Sequence, residues 1–202
     1  MYEKYIKIIN DNGGIITAKT ANTKGISRTI LSRMVKENTI ERIDYGIYAT
    51  DKFIYDEIFL FQLKHPNTVF SYNTALFLLN KTERTPEKLD VTTLRNNSLK
   101  YCKNIANIHR INPKFIDIGK TTTLTNTGKE VYTYNLERTV VDIISNRKVM
   151  EIELANKVIR NSIKDLNFNV NLMFEYAKKL KVYNKIKNYM EAIIWTSTIL
   201  QR

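Results

Sequence analysis

The chain has 202 residues and carries 32 Lys and Arg against 20 Asp and Glu, which gives a formal net charge of +12. One cysteine, Cys102, excludes an intrachain disulfide framework and a cysteine-rich metal site. The apolar runs are shorter than the roughly twenty residues that cross a bilayer, and the first residues lack the pattern of a signal peptide. We therefore expect a cytoplasmic protein, outside any membrane, with an anionic partner.

Two short helical patterns meet at Gly25. Thr17 and Ser27 stand directly before them, and their hydroxyls can accept hydrogen bonds from the free amides of a first helical turn. In the second helix, four apolar residues fall at helical spacing and are expected to pack inward. These four are Ile30, Leu31, Met34 and Val35.

The outer face of the second helix and its surroundings are polar and basic. From Thr17 to Lys36 there are five basic residues and no Asp or Glu. In a helix-turn-helix, the first turns of the second helix meet base edges and the flanking cations meet phosphates. The alternative is an ordinary helical domain with solvated charges. If the segment binds DNA, the predicted contact residues of the helix pair are Lys19, Lys24, Ser27, Arg28, Thr29, Ser32, Arg33 and Lys36.

A predicted β-hairpin, called the wing below, follows the helix pair. Its strands are Thr39–Ile43 and Ile47–Thr50, turned by Asp44-Tyr45-Gly46, and Ile15-Ile16 can add a short strand. Alternation in the first strand presents Arg42 outward. Helix pair and wing together predict a winged helix-turn-helix over residues 1–50, with Arg42 and Tyr45 on the wing.

Residues 51–202 are predicted to form an α+β domain with an antiparallel sheet and a helical C-terminus. Residues 51–90 read as a helical connection, residues 89–134 as strands and residues 135–202 as helices. The predicted helices are Ile54–Lys64, Tyr72–Leu79 with Ser71 as its cap, Leu136–Ser145, and about 151–162, 171–180 and 183–200. The predicted strands are Leu89–Thr92, Ile105–Ile111, Thr121–Thr125 and Val131–Tyr134, with Asn126-Thr127-Gly128 as the last hairpin turn.

Most of the positive charge lies in the second domain. Residues 1–50 carry 8 basic and 5 acidic side chains, whereas residues 91–202 carry 19 and 9. Five lysines between 178 and 187 are interleaved with apolar residues, which is typical of a basic amphipathic helix and equally of a solvated terminal helix. This second basic surface comprises Lys178, Lys179, Lys181, Lys185 and Lys187.

Signatures of catalysis are missing from the sequence. His65 and His109 are isolated, and there is no metal-spaced histidine pair, phosphate-cradling glycine loop or nucleophile elbow. Arg138 and Asp142 are expected to form a structural ion pair on a core helix. We therefore expect no catalytic residue, metal or cofactor. The alternative is a nuclease or other nucleic-acid enzyme that the winged helix targets, with Asp117 and Glu130 as its acids.

The order of these segments resembles the AbiEi-type antitoxins, the regulator half of bacterial abortive-infection toxin–antitoxin pairs. The resemblance rests on the segment GGIITAKTANTKGISRTILSRMVKENTIERIDYGIYAT and continues through PNTVFSYNTALFLLN and TTLTNTGKEVYTYNLERTVVDII. It spans most of residues 1–146. One departure is Tyr45, which stands just before the wing glycine where relatives often carry a basic residue.

The resemblance implies a winged helix that represses its own operon at inverted repeats in operator DNA. It also implies a C-terminal domain that counters a nucleotidyltransferase-like toxin encoded next door, in a type IV system where neutralisation needs no stable complex. Because no heptad seam is visible, we expect a monomer in solution that pairs on DNA.

Overall fold

The computed structural model describes residues 2–146, 150 and 152–199, and for residues 193–199 it describes the backbone alone. The chain divides between Asp56 and Glu57 into two compact parts, called unit 1 and unit 2. Both contain helices packed on a sheet, so the predicted α+β class is confirmed. Within the described residues, no helix is long and apolar enough to cross a membrane.

Unit 1 combines a cluster of helices with a three-stranded antiparallel sheet. The sheet order is β1-β3-β2, so the strand before the helix pair joins the hairpin as predicted. A bulge between Arg42 and Asp44, which was not predicted, interrupts the register of the hairpin. The elements are α1 Glu3–Asp11, β1 Ile15–Thr17, α2 Ala18–Thr23, α3 Arg28–Lys36, β2 Glu41–Asp44 and β3 Ile47–Ala49.

The core of unit 1 takes residues from α1, β1, α2, α3 and β3. Leu31 and Met34 of α3 are fully buried, so truncating either to alanine would cost about 2–5 kcal/mol of stability. Ile30 and Val35 are partly buried against the same cluster, so the predicted inward face of α3 is confirmed. The buried members of this cluster are Ile9, Ile16, Ala21, Ile26, Leu31, Met34, Ile40 and Tyr48.

Unit 2 is built on a five-stranded sheet of order β6-β5-β4-β8-β7. Its elements before the last helices are α4 Glu57–Lys64, β4 Thr68–Phe70, α5 Tyr72–Leu78, β5 Leu89–Leu94, a short 3₁₀ helix Lys100–Cys102, β6 Ala106–Ile111, α6 Pro113–Ile116, β7 Lys120–Leu124 and β8 Glu130–Tyr134. The four strands predicted from alternation are present, and the hairpin turn at 126–128 joins β7 to β8.

The prediction of an antiparallel sheet was wrong, because the sheet of unit 2 is mixed. β4 pairs parallel with β8, β5 pairs parallel with β6, and the other two pairs are antiparallel. The central strand β4 was not predicted. Its three residues are all buried, so they show no polar–apolar alternation, and they run directly into α5.

The remaining helices follow the sheet in sequence: α7 Leu136–Ser145, α8 Ile152–Lys164, α9 Val170–Lys179 and α10 Tyr183–Ile199. α7 has the predicted bounds, and it is a core helix whose residues Val140, Val141, Ile143 and Ile144 are buried. Two predicted helix ends, Glu151 and Leu200, lie outside the described residues.

The start of one helix and the cap of another differ from the predictions. α4 begins at Glu57 rather than at Ile54, and Ile54 and Tyr55 are exposed although both are apolar. Ser71 precedes α5 but makes no capping hydrogen bond, because its hydroxyl accepts one from the hydroxyl of Thr92 on β5. Because Ser71 is buried beside β5, its hydroxyl bonds to a side chain of the sheet instead of capping the helix.

Candidate nucleic-acid interface

The basic helix α3 is positioned by its cap and its buried face. Ser27 has an extended backbone, and its hydroxyl accepts a hydrogen bond from the amide of Ile30 at 3.3 Å, so the predicted cap is confirmed. Leu31 and Met34 anchor the opposite face in the core. The cap and the anchors together fix which side of α3 faces solvent.

That solvent side carries the five polar residues of α3 that were selected from the sequence. Their spacing of one and four residues places them in a single stripe of the helix. Glu37, the first acid after the stripe, accepts a hydrogen bond from the hydroxyl of Tyr2 at 3.1 Å. The stripe itself has no carboxylate; its exposed members are Arg28, Thr29, Ser32, Arg33 and Lys36.

Gly25 sets the angle at which α3 leaves α2. The amide of Ile26 donates to the carbonyl of Ala21 at 2.8 Å and that of Gly25 to the carbonyl of Asn22 at 3.1 Å, which is the Schellman pattern of helix ends. This pattern requires the positive φ of 80° found at Gly25. The side chain of Ile26 is completely buried in the core, and this burial stabilises the turn.

α2 presents further polar groups beside the turn. Thr17 caps this helix by accepting from the amide of Thr20 at 3.1 Å, as predicted. Lys19 on α2 and Lys24 at its end are exposed, as a phosphate-binding role requires. Asn22 on α2 is also exposed, and as an uncharged donor it is not revealed by the pattern of basic residues.

The wing brings Arg42 and Tyr45 together. Gly46 has a φ of 69° in the turn, and β3 is held on its other side by pairing with β1. The Arg42 guanidinium lies 5.4 Å from the centre of the Tyr45 ring, and both side chains are exposed. The wing therefore presents a cation stacked near an aromatic ring, although the residue before the glycine is not basic.

The five lysines of the second basic surface are all exposed, but their surroundings differ. Lys185 donates to the carbonyl of Ser145, and Lys187 lies 3.7 Å from the carboxylate of Glu191. Lys178 lies 5.4 Å from the centre of the Tyr183 ring. The five lysines are divided between two helices and the turn that joins them, close to the predicted bounds, since α9 ends at Lys179 and α10 begins at Tyr183.

The two acids considered for a nuclease are separated. Asp117 precedes β7 and lies 3.8 Å from the ammonium group of Lys120. Glu130 pairs with Leu124 at the far end of the same hairpin. Within residues 2–146, 150 and 152–199, no three His, Cys, Asp or Glu side chains are grouped as metal ligands.

The two histidines each have a partner that the sequence did not reveal. His65 Nε2 lies 3.3 Å from Cys102 Sγ. Burial lowers the pKa of His65, aided by the charge of Lys64, and burial raises the pKa of Cys102. This pair is therefore a neutral imidazole beside a neutral thiol, which suits packing rather than nucleophilic attack. His109 contacts the buried carboxylate of Asp90.

The predicted ion pair of α7 is present and structural. Arg138 Nε lies 2.9 Å and 3.0 Å from the two carboxylate oxygens of Asp142. The same guanidinium donates to the carbonyls of Phe115 and Ile118, at 3.1 Å and 2.6 Å, and lies 4.2 Å from the centre of the Tyr134 ring. Arg138 thus ties α7 to the segment that enters β7.

Comparisons with known proteins bear mainly on unit 1. Residues 3–50 match the profile of the family described as "Transcriptional regulator, AbiEi antitoxin". Among solved structures, the chain is similar to the RV2827C protein from Mycobacterium tuberculosis, with 9% identity and a TM-score of 0.49 over 91% of this chain and 76% of that one. A search of curated proteins gives no significant match. The profile match confirms, over residues 3–50, the resemblance to the AbiEi antitoxins, a family of transcriptional regulators.

Proposed function

We propose that unit 1 is a winged helix-turn-helix that binds operator DNA through α3. The observation that carries this proposal is the stripe of five exposed polar residues on α3, held outward by Ser27 and by the buried Leu31 and Met34. Arg28 and Ser32 lie in the first turns of the helix, where a docked helix-turn-helix meets base edges. Ser27, Thr29 and Arg33 belong to the same contact region.

Three further lysines of unit 1 are proposed to contact phosphates. Lys19 and Lys24 precede α3 and Lys36 is its last residue, and phosphate contacts fix register without reading sequence. Arg42 and Tyr45 approach the DNA from the wing. Because Tyr45 replaces a cation, we expect the wing to contribute a stacked arginine rather than a basic side chain at the tip.

We further propose that the operator contains inverted repeats upstream of the chain's own gene and that two protomers bind it. The apolar residues of α1 and α3 are used in the core of unit 1, so they do not supply a dimer seam. A monomer in solution that pairs on DNA fits this arrangement. Repression then follows from occupation of the chain's own promoter in the cytoplasm.

For unit 2 we propose the antitoxin role, directed against a neighbouring nucleotidyltransferase-like toxin, without the requirement of a stable complex. The support is the family match over residues 3–50 of the same chain, together with the basic excess of residues 91–202. Within the second basic surface, Lys185 and Lys187 already have polar partners. We therefore expect the main contacts with an acidic partner to come from Lys178, Lys179 and Lys181. An acidic partner, whether toxin or nucleic acid, would be attracted by this surface.

A two-readout experiment tests the division of roles. Full-length chains are expressed beside a reporter driven by their own promoter, and separately beside the toxin, with equal protein levels verified. Replacing Arg28 and Arg33 by alanine should release the reporter yet leave growth rescue intact. Replacing Lys178, Lys179 and Lys181 by glutamate should weaken rescue.

The matched control replaces Lys4 and Lys7, two exposed lysines of α1, by alanine, which changes the charge of unit 1 equally. This variant should repress and rescue normally. Loss of rescue with the Arg28 and Arg33 changes, with repression kept, would show that the roles are assigned to the wrong units.

A further inference from the structure

A cavity of about 450 Å³ opens in unit 2 beside the start of β5. Asp90 and Asn107, which are paired residues on β5 and β6, lie in its wall together with Asn73 of α5. The volume falls within the range of pockets that bind small molecules. The DNA-binding role proposed for unit 1 does not use this cavity.

A buried carboxylate that accepts three hydrogen bonds from the described residues lies in the wall of the cavity. The side chain of Asp90 is 1% exposed. Its Oδ1 lies 2.9 Å from His109 Nε2 and accepts from Asn107 Nδ2 at 3.3 Å, and its Oδ2 accepts from Asn73 Nδ2 at 3.1 Å. Since a carboxylate offers about four acceptor positions, a further donor can bind at Oδ2.

Both asparagines add acceptors beside this carboxylate. Asn73 and Asn107 direct their amide nitrogens at Asp90, so their side-chain carbonyl oxygens remain as acceptors. Among the described residues, no donor bonds to either carbonyl oxygen. A ligand group that carries two or more N–H donors would therefore be satisfied here.

The walls and the mouth have different chemistry. Met150, Leu154 and Pro86 provide apolar contact. At the mouth, Arg84 is only loosely paired with Glu87, at 3.5 Å and with both side chains largely exposed, and Lys88 donates to the carbonyl of Lys103 at 3.2 Å. The cavity thus offers acceptors at Asp90 and the asparagines, apolar surface, and two cations together with the carboxylate of Glu87.

The backbone next to this site is strained. Tyr72 has a φ of 45°, which a bulky residue rarely adopts, and its ring centre lies 4.3 Å from that of His109. Such strain persists only where the surrounding structure enforces it. Here the enforced position places the tyrosine ring against the histidine that faces Asp90.

We propose that this cavity binds a nucleotide whose base carries an amino group, namely adenine, guanine or cytosine. The amino group donates to Asp90 and to the asparagine carbonyls. The flat ring contacts Met150 and Leu154, and the phosphate pairs with Arg84 and Lys88 at the mouth. Uracil has no amino group and offers a single N–H, so it cannot satisfy both Asp90 and an asparagine carbonyl.

Isothermal titration calorimetry of the full-length protein with AMP, GMP, CMP and UMP tests the proposal. At least one of the first three should bind about tenfold or more tightly than UMP, since an unmet buried acceptor costs on the order of 1.4 kcal/mol or more. Asp90→Asn, which places a donor where the ligand donates, should lower that affinity by about tenfold or more.

Two further variants keep the test decisive if Asp90→Asn does not fold. Leu154→Trp should block the cavity and abolish binding, and Arg84→Ala should weaken binding of the nucleotide but not of the free nucleoside. The control is Glu83→Ala, an exposed neighbour outside the lining, which should bind as the parent does.

Equal affinity for all four nucleotides would overturn the proposal, because it would show phosphate binding alone. Undiminished binding by Leu154→Trp would also overturn it, by placing the nucleotide elsewhere. No heat with any nucleotide, or binding of a free amino acid such as arginine instead, would assign the cavity to another ligand or to none.

Discussion

The guanidinium of Arg42 lies 5.4 Å from the centre of the Tyr45 ring, across the tip of the hairpin in unit 1. Tyr45 is 87% exposed, so the ring covers no core residue. A cation–aromatic contact at an exposed site contributes about 0.5–1 kcal/mol. We therefore expect Tyr45 to orient Arg42 on the proposed wing.

We predict that Arg42→Ala weakens DNA binding similarly on all sequences and reduces the slope of log affinity against log salt by about 1. Tyr45→Ala should weaken binding less, because the cation remains but is no longer oriented. Tyr45→Phe keeps the ring and serves as the control. Gel shifts at several salt concentrations measure both effects, and an unchanged slope for Arg42→Ala would remove the wing from the interface.

Arg28 is expected to read a base rather than a phosphate. It is the first residue of α3 and is exposed directly after the cap. If it grips guanine, Arg28→Ala should lose about 1–3 kcal/mol on the operator and much less on unrelated DNA. Lys36→Ala, at the other end of the helix, is the comparison and should weaken both complexes alike. Equal losses for Arg28→Ala on both DNAs would make Arg28 a phosphate contact.

The ion pair of α7 yields a prediction about stability. The side chain of Arg138 is 1% exposed and that of Asp142 is 15% exposed, so removal of the carboxylate leaves a buried cation. Burial raises the pKa of Asp142, whereas the charge of Arg138 opposes that rise. Asp142→Ala should therefore lower the free energy of unfolding by about 3–5 kcal/mol in urea. A loss below about 1 kcal/mol would mean that the pair behaves like a surface salt bridge.

Gly119 gives a second stability prediction, with a matched control in the same unit. A Cβ at Gly119 would lie 2.5 Å from Arg138 Cβ, whereas a Cβ at Gly128 would meet nothing within 4 Å. Both glycines have a φ near 75°. Gly128→Ala should thus show only the backbone penalty of about 1–2 kcal/mol, and Gly119→Ala should lose a further 1–3 kcal/mol or so from overpacking. Similar losses in thermal unfolding would contradict the close approach.

The parts of the fold that could be predicted are those that local signals determine. The caps at Thr17 and Ser27, the turn at Gly25 and the inward face of α3 depend on residues within one or two helical turns. The same holds for α7, whose polar cap Asn135 precedes a continuous apolar pattern. For these elements, the sequence pattern and the tertiary packing agree.

The features that could not be predicted depend on pairing across the chain. β4 is too short to show alternation, and its parallel partner β8 lies some sixty residues later, with Phe70 paired to Thr133. His109 looked isolated because Asp90 is nineteen residues away along the chain. Local sequence patterns do not predict contacts between residues that are far apart along the chain. The cavity beside Asp90 could not be predicted for the same reason, because its lining residues come from separate segments.

Salt-dependent binding to the chain's own promoter tests the central claim most directly. Fluorescence anisotropy would follow the full-length protein on a duplex from its upstream region and on a scrambled duplex, between about 50 and 200 mM salt. Five or so phosphate contacts per protomer predict a slope of about −4 to −5, from about −0.9 per phosphate, with clear preference for the native duplex. An affinity that does not change with salt concentration, or that is equal for the two duplexes, would contradict the assignment of unit 1 as a sequence-specific DNA-binding domain.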